Sequence, residues 1–341
     1  MNGDRRDTLT TYRHVRLAMA LLLALLLVAV VLRALSAPGI CFEGSISAYY
    51  FTSVRAVFVT ALCALGTCLI VYRGNRDAED IALNASGALA FVVAFVPTRV
   101  PSATGVTCSA SNVPGPGQLE DAVNNNMVAM IIVSFVAIAV AMILVALSTR
   151  TARERGTPGP GTAPIVALSV FLGVLVLGSL AFAVWPDGFR AHAHTTAAFG
   201  TFIGILAVVA INAFDSGMER SVDGLLKETR ELPSTTLERA PDVRAPESVA
   251  GGGPGAGGDL EELRRRVIAR KLYVGIWTAM VASMGVISLL YWRVSGWRHG
   301  VLWIEAALMI EFLAFWVVQT YELWRETRRA APPVDALLAP T

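Results

Sequence analysis

The stretch from residue 127 to residue 148, MVAMIIVSFVAIAVAMILVALS, runs for 22 residues without a charged side chain. A helix needs about 20 predominantly apolar residues to cross the hydrocarbon core of a bilayer. The short alternating strands that are typical of a membrane barrel are absent from the sequence. This stretch therefore predicts a transmembrane helix.

Seven more blocks share this character, although the first is marginal in length. In chain order, the eight predicted spans are 17–32, 55–72, 81–98, 127–148, 165–185, 195–214, 272–292 and 301–321. Backbone polar groups in lipid must be hydrogen-bonded within the segment, so such spans are helices. The sequence predicts an all-α, polytopic transmembrane helix bundle of about eight spans.

The composition agrees with a membrane protein. Hydrophobic residues make up 55% of the 341 positions and charged residues 16%, with a mean hydropathy of +0.58. A soluble domain carries about 25% charged residues, so a soluble enzyme is excluded. The net charge of +2 offers no basic field for phosphate backbones, which excludes a nucleic-acid binder. The predicted environment is the lipid bilayer.

The basic residues predict the orientation. With the N-terminus inside, the cytoplasmic segments carry 22 Lys and Arg and the outer segments carry 5. Lys and Arg concentrate in cytoplasmic loops, so both termini are predicted to be cytoplasmic. The 26 Arg against 2 Lys indicate a GC-rich genome, and hence a bacterial plasma membrane.

The first span has a second interpretation, because four arginines ahead of an apolar run also fit a secretory signal peptide. Ala34-Leu35-Ser36 is a poor cleavage site, which favours an uncleaved span. The run PSTTLERAPDVRAPESVAGGGPGAGG (233–258) cannot bury a core and predicts disorder. The predicted organisation is an N-terminal tail, a six-span region, a largely disordered cytoplasmic linker, a two-span hairpin and a C-terminal tail (1–16, 17–214, 215–271, 272–321 and 322–341).

The four cysteines fall into two pairs. Cys63 and Cys68 lie inside the second span and are interpreted as packing residues. Cys41 and Cys108 lie in outward loops, where a disulfide between them is permitted and is predicted. There is no C-x-x-C pair, so no metal site is predicted. No cofactor is predicted either.

A group of polar residues maps to one height near the outer leaflet. Its members are Glu43, Ser45, Ser47, Tyr49, Arg55, His194 and Glu305. Three interpretations stay open. The group is a structural network with Arg55 paired to Glu43 or Glu305, a pocket for a ligand or lipid headgroup, or a catalytic site. In the last case His194 and Glu43 are the acid/base candidates.

Glu311 is the one charged residue that the sequence places near the midplane, about 15 Å into the last span at 1.5 Å per residue. An ionisable group at that depth is a functional hypothesis, because its desolvation is costly. One interpretation is a carboxyl group that exchanges protons in a carrier. The other is a protonated glutamic acid that is hydrogen-bonded across a helix interface. Small residues at Gly87, Gly200 and Gly204 predict close helix packing.

The run Ser45-Ile-Ser-Ala-Tyr-Tyr-Phe-Thr52, followed by Arg55-x-x-Phe58-Val59, resembles a group of uncharacterised bacterial multi-pass proteins with a SISAYY-type motif. The group is similar to the domain-of-unknown-function family 998 and to the Frag-like membrane proteins. Further matches lie at Tyr72-Arg-Gly74, Asp80, Asn84, Gly87, Pro97-Thr98, His194, Ala198, Tyr273, Glu305-Ala306, Phe312 and Trp316. The resemblance implies this fold and an outer polar site, marks spans four and five as an added hairpin, and supplies no reaction.

The predicted function is therefore non-enzymatic. The protein is expected to bind or move a small molecule, a lipid or a proton through an outward-facing polar pocket. One alternative is an intramembrane enzyme that acts on an outer-leaflet lipid. Another is a structural subunit whose partner is a further membrane protein of the envelope.

Overall fold

The computed structural model describes residues 2–37, 40–74, 76–99, 115–157, 163–214, 256–294 and 297–330. Within these ranges the regular elements are all helices, which confirms the all-α prediction. They are α1 (Asn2–Ser36), a 3₁₀ helix (Ser47–Phe51), α2 (Arg55–Val71), α3 (Asp77–Phe95), α4 (Pro116–Glu154), α5 (Ala163–Val184), α6 (Pro186–Ala213), α7 (Ala256–Arg293) and α8 (Gly300–Ala330).

Seven of these helices are long and apolar enough to cross a membrane. They correspond to seven of the eight predicted spans, and the protein is a multi-pass membrane protein. The eighth, α2, is an apolar helix of 17 residues that falls just short of that length. Most of the predicted linker lies outside the described residues, and α7 begins at Ala256, within its predicted last residues. The orientation of the termini stays a prediction.

Prolines define several helix ends. Val96 ends α3 in an extended conformation because the following Pro97 disfavours helical geometry at the residue before it. Pro116 and Pro186 occupy the first turns of α4 and α6, where a missing N–H costs nothing. Only Trp185 separates α5 from α6, so the chain passes from one helix into the next at this single residue.

Six helices form a closed ring. Going round it, α1 packs against α2, α2 against α3, α3 against α6, α6 against α7, α7 against α8, and α8 back against α1. The centre is filled by large apolar side chains that are at most 2% exposed, among them Phe58, Phe312, Phe315 and Trp316. The first and the last helix of the chain are therefore neighbours.

Helices α4 and α5 stand outside this ring. They pack against each other and touch the ring chiefly at α3 and α6, where Val96, Val123 and Met127 form a small separate core. Since α4 has 39 residues, it extends over about 58 Å, well beyond the roughly 30 Å of the hydrocarbon core.

Small residues bring the ring helices together, as their spacing predicts. A Cβ atom on Gly66 of α2 would lie 2.7 Å from the carbonyl oxygen of Gly87 on α3. On the other side of α3, a Cβ atom on Gly204 of α6 would lie 2.1 Å from the Ser86 Oγ atom. The predicted close packing at Gly87, Gly200 and Gly204 is confirmed.

Two ends of the ring carry polar side chains. We call the end where α1 begins and α8 ends, near Arg16 and Gln319, the terminal end. The other end, near His194 and Glu305, is the opposite end.

Candidate functional site

Glu305 fastens the segment between α1 and α2 to the start of α8. Its carboxylate accepts a hydrogen bond from the Ile46 backbone N–H at 2.5 Å and one from the Ser47 hydroxyl at 3.3 Å. Close by, the Leu302 N–H donates to the Gly44 carbonyl at 3.0 Å. Glu305 therefore stabilises the 3₁₀ helix at the opposite end, and Ser47 belongs to the same cluster, as predicted from their common height.

The other predicted residues of this segment are also brought together. The Ser45 hydroxyl accepts a hydrogen bond from the Ala48 N–H at 3.0 Å and so supports the first turn of the 3₁₀ helix. Tyr49 is fully buried, and this burial raises the pKa of its hydroxyl above the ordinary value. Glu43 is buried beside it, and its carbonyl lies 3.1 Å from the His299 Nδ1 atom. These contacts give Ser45 and Glu305 structural roles.

Arg55 follows a different arrangement from the predicted ion pair. Its guanidinium donates to the Tyr50 hydroxyl at 2.7 Å and lies 4.4 Å from the centre of that ring. An aromatic face and a phenol oxygen satisfy the cation there. Tyr50, five residues earlier in the chain, thus holds Arg55 in place of Glu43 or Glu305.

His194 lies on α6 and is directed to a different partner. Its Nδ1 atom is 2.6 Å from the carbonyl oxygen of Val96, the residue that ends α3. A carbonyl only accepts, so Nδ1 carries the hydrogen and donates it. The residue is buried, and the bond ties the exit of α3 to α6. The catalytic interpretation paired His194 with Glu43, but His194 is bonded to α3 and Glu43 lies between α1 and α2.

Beside His194 the structure contains a cleft of about 360 Å³. Its two walls are the residues that follow α3 and the second and third turns of α6. The side chains that matter for its chemistry are Thr98, Arg99, Arg190, His192, His194 and Thr195. Aspartate and glutamate are absent from its described lining.

Arg190 is anchored from outside the cleft. Its Nη2 atom lies 2.6 Å from Asp187 Oδ1 and 2.8 Å from Glu120 Oε1, and Nη1 lies 3.3 Å from Asn124 Oδ1. These contacts join α6 to α4. Asp187 is 91% exposed, so water screens its charge. Arg190 is thereby fixed in orientation, and its described contacts use Nη1 and Nη2 but not Nε.

Arg99 is the other arginine of the cleft, and it is exposed. Among the described residues it has no hydrogen-bond or ion-pair partner. From the sequence, Arg99 is only a loop charge that sets the orientation, and Arg190 lies near His192 and His194 at the outer surface without being assigned to a pocket. Their positions in the sequence could have indicated this site. Arg190 precedes His194 by four residues. Arg99 follows Val96, whose carbonyl His194 binds, by three residues.

A second polar cluster, which the sequence did not predict, crosses the ring at the terminal end. Arg16 of α1 donates through Nε to the Tyr72 hydroxyl at 2.9 Å and through Nη1 to the Gln319 carbonyl at 2.6 Å. The Gln319 side chain donates to Asn212 at 3.3 Å, and Asn212 donates to the buried Glu79 at 2.9 Å. We call these five residues the terminal network. It links α1, α3, α6, α8 and the residue after α2.

Glu311 lies at the interface between α7 and α8. The Ser283 hydroxyl lies 3.2 Å from its Oε2 atom and 3.1 Å from the Met280 carbonyl. This contact across a helix interface matches the hydrogen-bonded interpretation of Glu311. The described contacts of Glu311 do not include the cleft or the terminal network.

The cysteines divide as the sequence predicts. Cys41 is disulfide-bonded, whereas Cys63 and Cys68 are free and half-buried. Cys108, the predicted partner of Cys41, lies outside the described residues, so the pairing itself stays a prediction. Within the described ranges, no three His, Cys, Asp or Glu side chains are grouped so that they could hold a metal ion.

The chain matches no family model, no curated protein and no solved structure. The similarity to the family 998 and Frag-like proteins stays a prediction.

Proposed function

We propose that this membrane protein is a binding protein whose cleft between α3 and α6 takes an anionic group, such as a phosphate. One observation carries the proposal: Arg99, which has no described partner, lines a cavity of about 360 Å³ together with Arg190 and His192. The carboxylates of Asp187 and Glu120 contact Arg190 but are not part of the described lining. The volume lies in the range of small-molecule sites. Of the residues predicted for an outer pocket, only His194 lines this cleft.

The chemistry of the lining favours an oxyanion. Arginine forms paired N–H hydrogen bonds to phosphate or carboxylate oxygens, and such charge-assisted bonds are about twice as strong as neutral ones. Arg99 has no described partner to compete with a ligand, and Arg190 is already oriented by its contacts with α4. The hydroxyls of Thr98 and Thr195 add neutral donors at the same walls.

Packing favours binding over conduction through the ring. The described interior between the two polar ends is occupied by Phe58, Phe312, Phe315 and Trp316, each at most 2% exposed. The side chains of the terminal network fill the interior at the terminal end. A polar solute has no lined route through these side chains, whereas the cleft is open at the surface.

The predicted orientation places the cleft on the outer face of a bacterial plasma membrane. This follows from the excess of basic residues in the segments at the terminal end. A binding protein there meets solutes and headgroups of the outer leaflet.

A thermal shift of the purified protein tests the proposal, with glycerol 3-phosphate as the probe. Ligand that binds the folded state stabilises it by mass action, so Tm is expected to rise by a few degrees in the natural protein. Arg99→Gln should abolish the rise. Arg150→Gln is the matched control, because Arg150 is an exposed arginine of α4 without a described partner. An equal rise in Arg99→Gln, or no rise in any variant, would contradict the proposal.

A further inference from the structure

We infer that the occupant of the cleft is an anionic phospholipid, with its phosphate at Arg99 and an acyl chain along the outer face of α6. This inference rests on the proposed function and names its ligand class. Three observations support it: a stripe of exposed side chains on α6, the position of the α4–α5 hairpin, and an aromatic marker beside the cleft.

The stripe runs from polar to apolar along one face of α6. The exposed residues His192, Thr195, Phe199 and Ile203 follow one another at steps of three or four, which places them on one side of the helix. The first two line the cleft. Phe199 and Ile203 are 64% and 62% exposed, and they lie about 6 Å and 12 Å further along the axis than Thr195. A phospholipid has the same order, with a polar headgroup followed by an apolar acyl chain.

The hairpin leaves that stripe uncovered. The core that joins α4 and α5 to the ring involves Met130 and Phe182, close to the level of the cleft. Further along α5, Leu177 is 68% exposed and Val174 is 59% exposed. Because the hairpin meets the ring beside the cleft, Phe199 and Ile203 remain open to a lipid chain although α5 precedes α6 directly.

Trp185 marks the level of the cleft in the bilayer. Its ring is 61% exposed and lies 6.1 Å from the ring of His192. Tryptophan concentrates at the headgroup level, where its polar N–H and its apolar ring are both accommodated. The cleft therefore lies at headgroup depth, where a phosphate enters it without leaving the interface.

The lining also selects among headgroups. A phosphatidylglycerol phosphate has no cation attached, whereas phosphatidylcholine carries a quaternary ammonium next to its phosphate. Arg99 repels that ammonium, and the carboxylates of Asp187 and Glu120 beside the cleft are already paired with Arg190. A water-soluble anion would use the arginines but would gain nothing from Phe199. The lipid, in contrast, is held at high local concentration by the bilayer.

The experiment uses the full chain in nanodiscs that contain equal parts of phosphatidylglycerol and phosphatidylcholine. Native mass spectrometry of the released protein measures which lipid is retained. The natural protein should favour phosphatidylglycerol by about tenfold, which corresponds to one charge-assisted interaction. Arg99→Gln should remove the preference. Phe199→Ser should lower retention, whereas Ile310→Ser, at a 56% exposed site on α8, should leave it unchanged.

Glycerol 3-phosphate distinguishes the two proposals. Phe199→Ser is expected to keep the Arg99-dependent thermal shift with this probe, since the cleft itself is intact. If the thermal shift depends on Arg99 but lipid retention is the same in Arg99→Gln, Phe199→Ser and the natural protein, the lipid inference is wrong and the anion site stands. If neither probe depends on Arg99, both proposals fail. A change of oligomeric state in Phe199→Ser without loss of lipid would make the stripe a protein interface and overturn the inference.

Discussion

The guanidinium of Arg16 donates a hydrogen bond to the main-chain carbonyl of Gln319 at 2.6 Å, across 303 positions of sequence. The same side chain bonds to the hydroxyl of Tyr72, which follows α2. A residue that the sequence places just ahead of the first span thus fastens that span to the last one. The bond closes the ring at its terminal end.

Arg16→Met should therefore destabilise the ring. The substitution removes hydrogen bonds from a cation to two partly buried acceptors, and bonds of that type contribute about 1.5–3 kcal/mol each. We expect a lower Tm in detergent, with Arg16→Lys intermediate because a single ammonium still reaches one acceptor. Arg150→Met, at the exposed site on α4, is the control. Equal Tm values for Arg16→Met and this control would show that the terminal network contributes no stability.

Glu305→Ala should release the 3₁₀ helix without unfolding the ring. Its carboxylate is the acceptor for the Ile46 N–H and the Ser47 hydroxyl, whereas α8 itself packs through Leu302, Leu308 and Phe312. Hydrogen–deuterium exchange should show the Ile46 amide exchanging faster, by about tenfold for the loss of one such bond.

Glu305→Gln is the matched variant, since the amide oxygen still accepts from Ile46. Its exchange at Ile46 should stay close to that of the natural protein. Unchanged exchange in Glu305→Ala would mean that the segment is held by its other contacts, such as the bond between Leu302 and Gly44.

The spans could be predicted from the sequence because they depend on hydropathy, which is a local property. The helices of the structure overlap all eight predicted segments, and the height of Glu305 and Ser47 also followed from position along the chain. Position gives height but not the direction around a helix axis. For that reason His194 was grouped with Glu305, although its bond to Val96 places it between α3 and α6.

The arginines also show that the direction of a side chain around the helix axis cannot be predicted from its position along the chain. Basic residues at the ends of spans were used as markers of orientation, and neither Arg16 nor Arg99 was expected to bond to another helix or to line a pocket. Whether such a residue also folds back into the protein depends on which helices are neighbours. The ring order, with α6 beside α3 and α8 beside α1, is a non-local property that spacing does not encode.

The contact between Gly66 and Gly87 brings the backbones of α2 and α3 together. A Cβ atom on Gly66 would lie 2.7 Å from the Gly87 carbonyl, and one on Gly87 would lie 2.6 Å from the Gly66 carbonyl. Both obstacles are backbone atoms, which cannot rotate away. Gly66→Ala should force α2 and α3 apart and cost about 1–3 kcal/mol, as overpacking does, with a lower Tm.

Gly285→Ala on α7 makes the same chemical change in open space, because nothing lies within 4 Å of the added Cβ atom. Alanine favours a helix over glycine by about 1 kcal/mol, so this control should be neutral or stabilising. The difference between the two Tm values isolates the steric term from the helix preference. If Gly66→Ala were as stable as Gly285→Ala, α2 and α3 could not lie as close together as these two distances indicate.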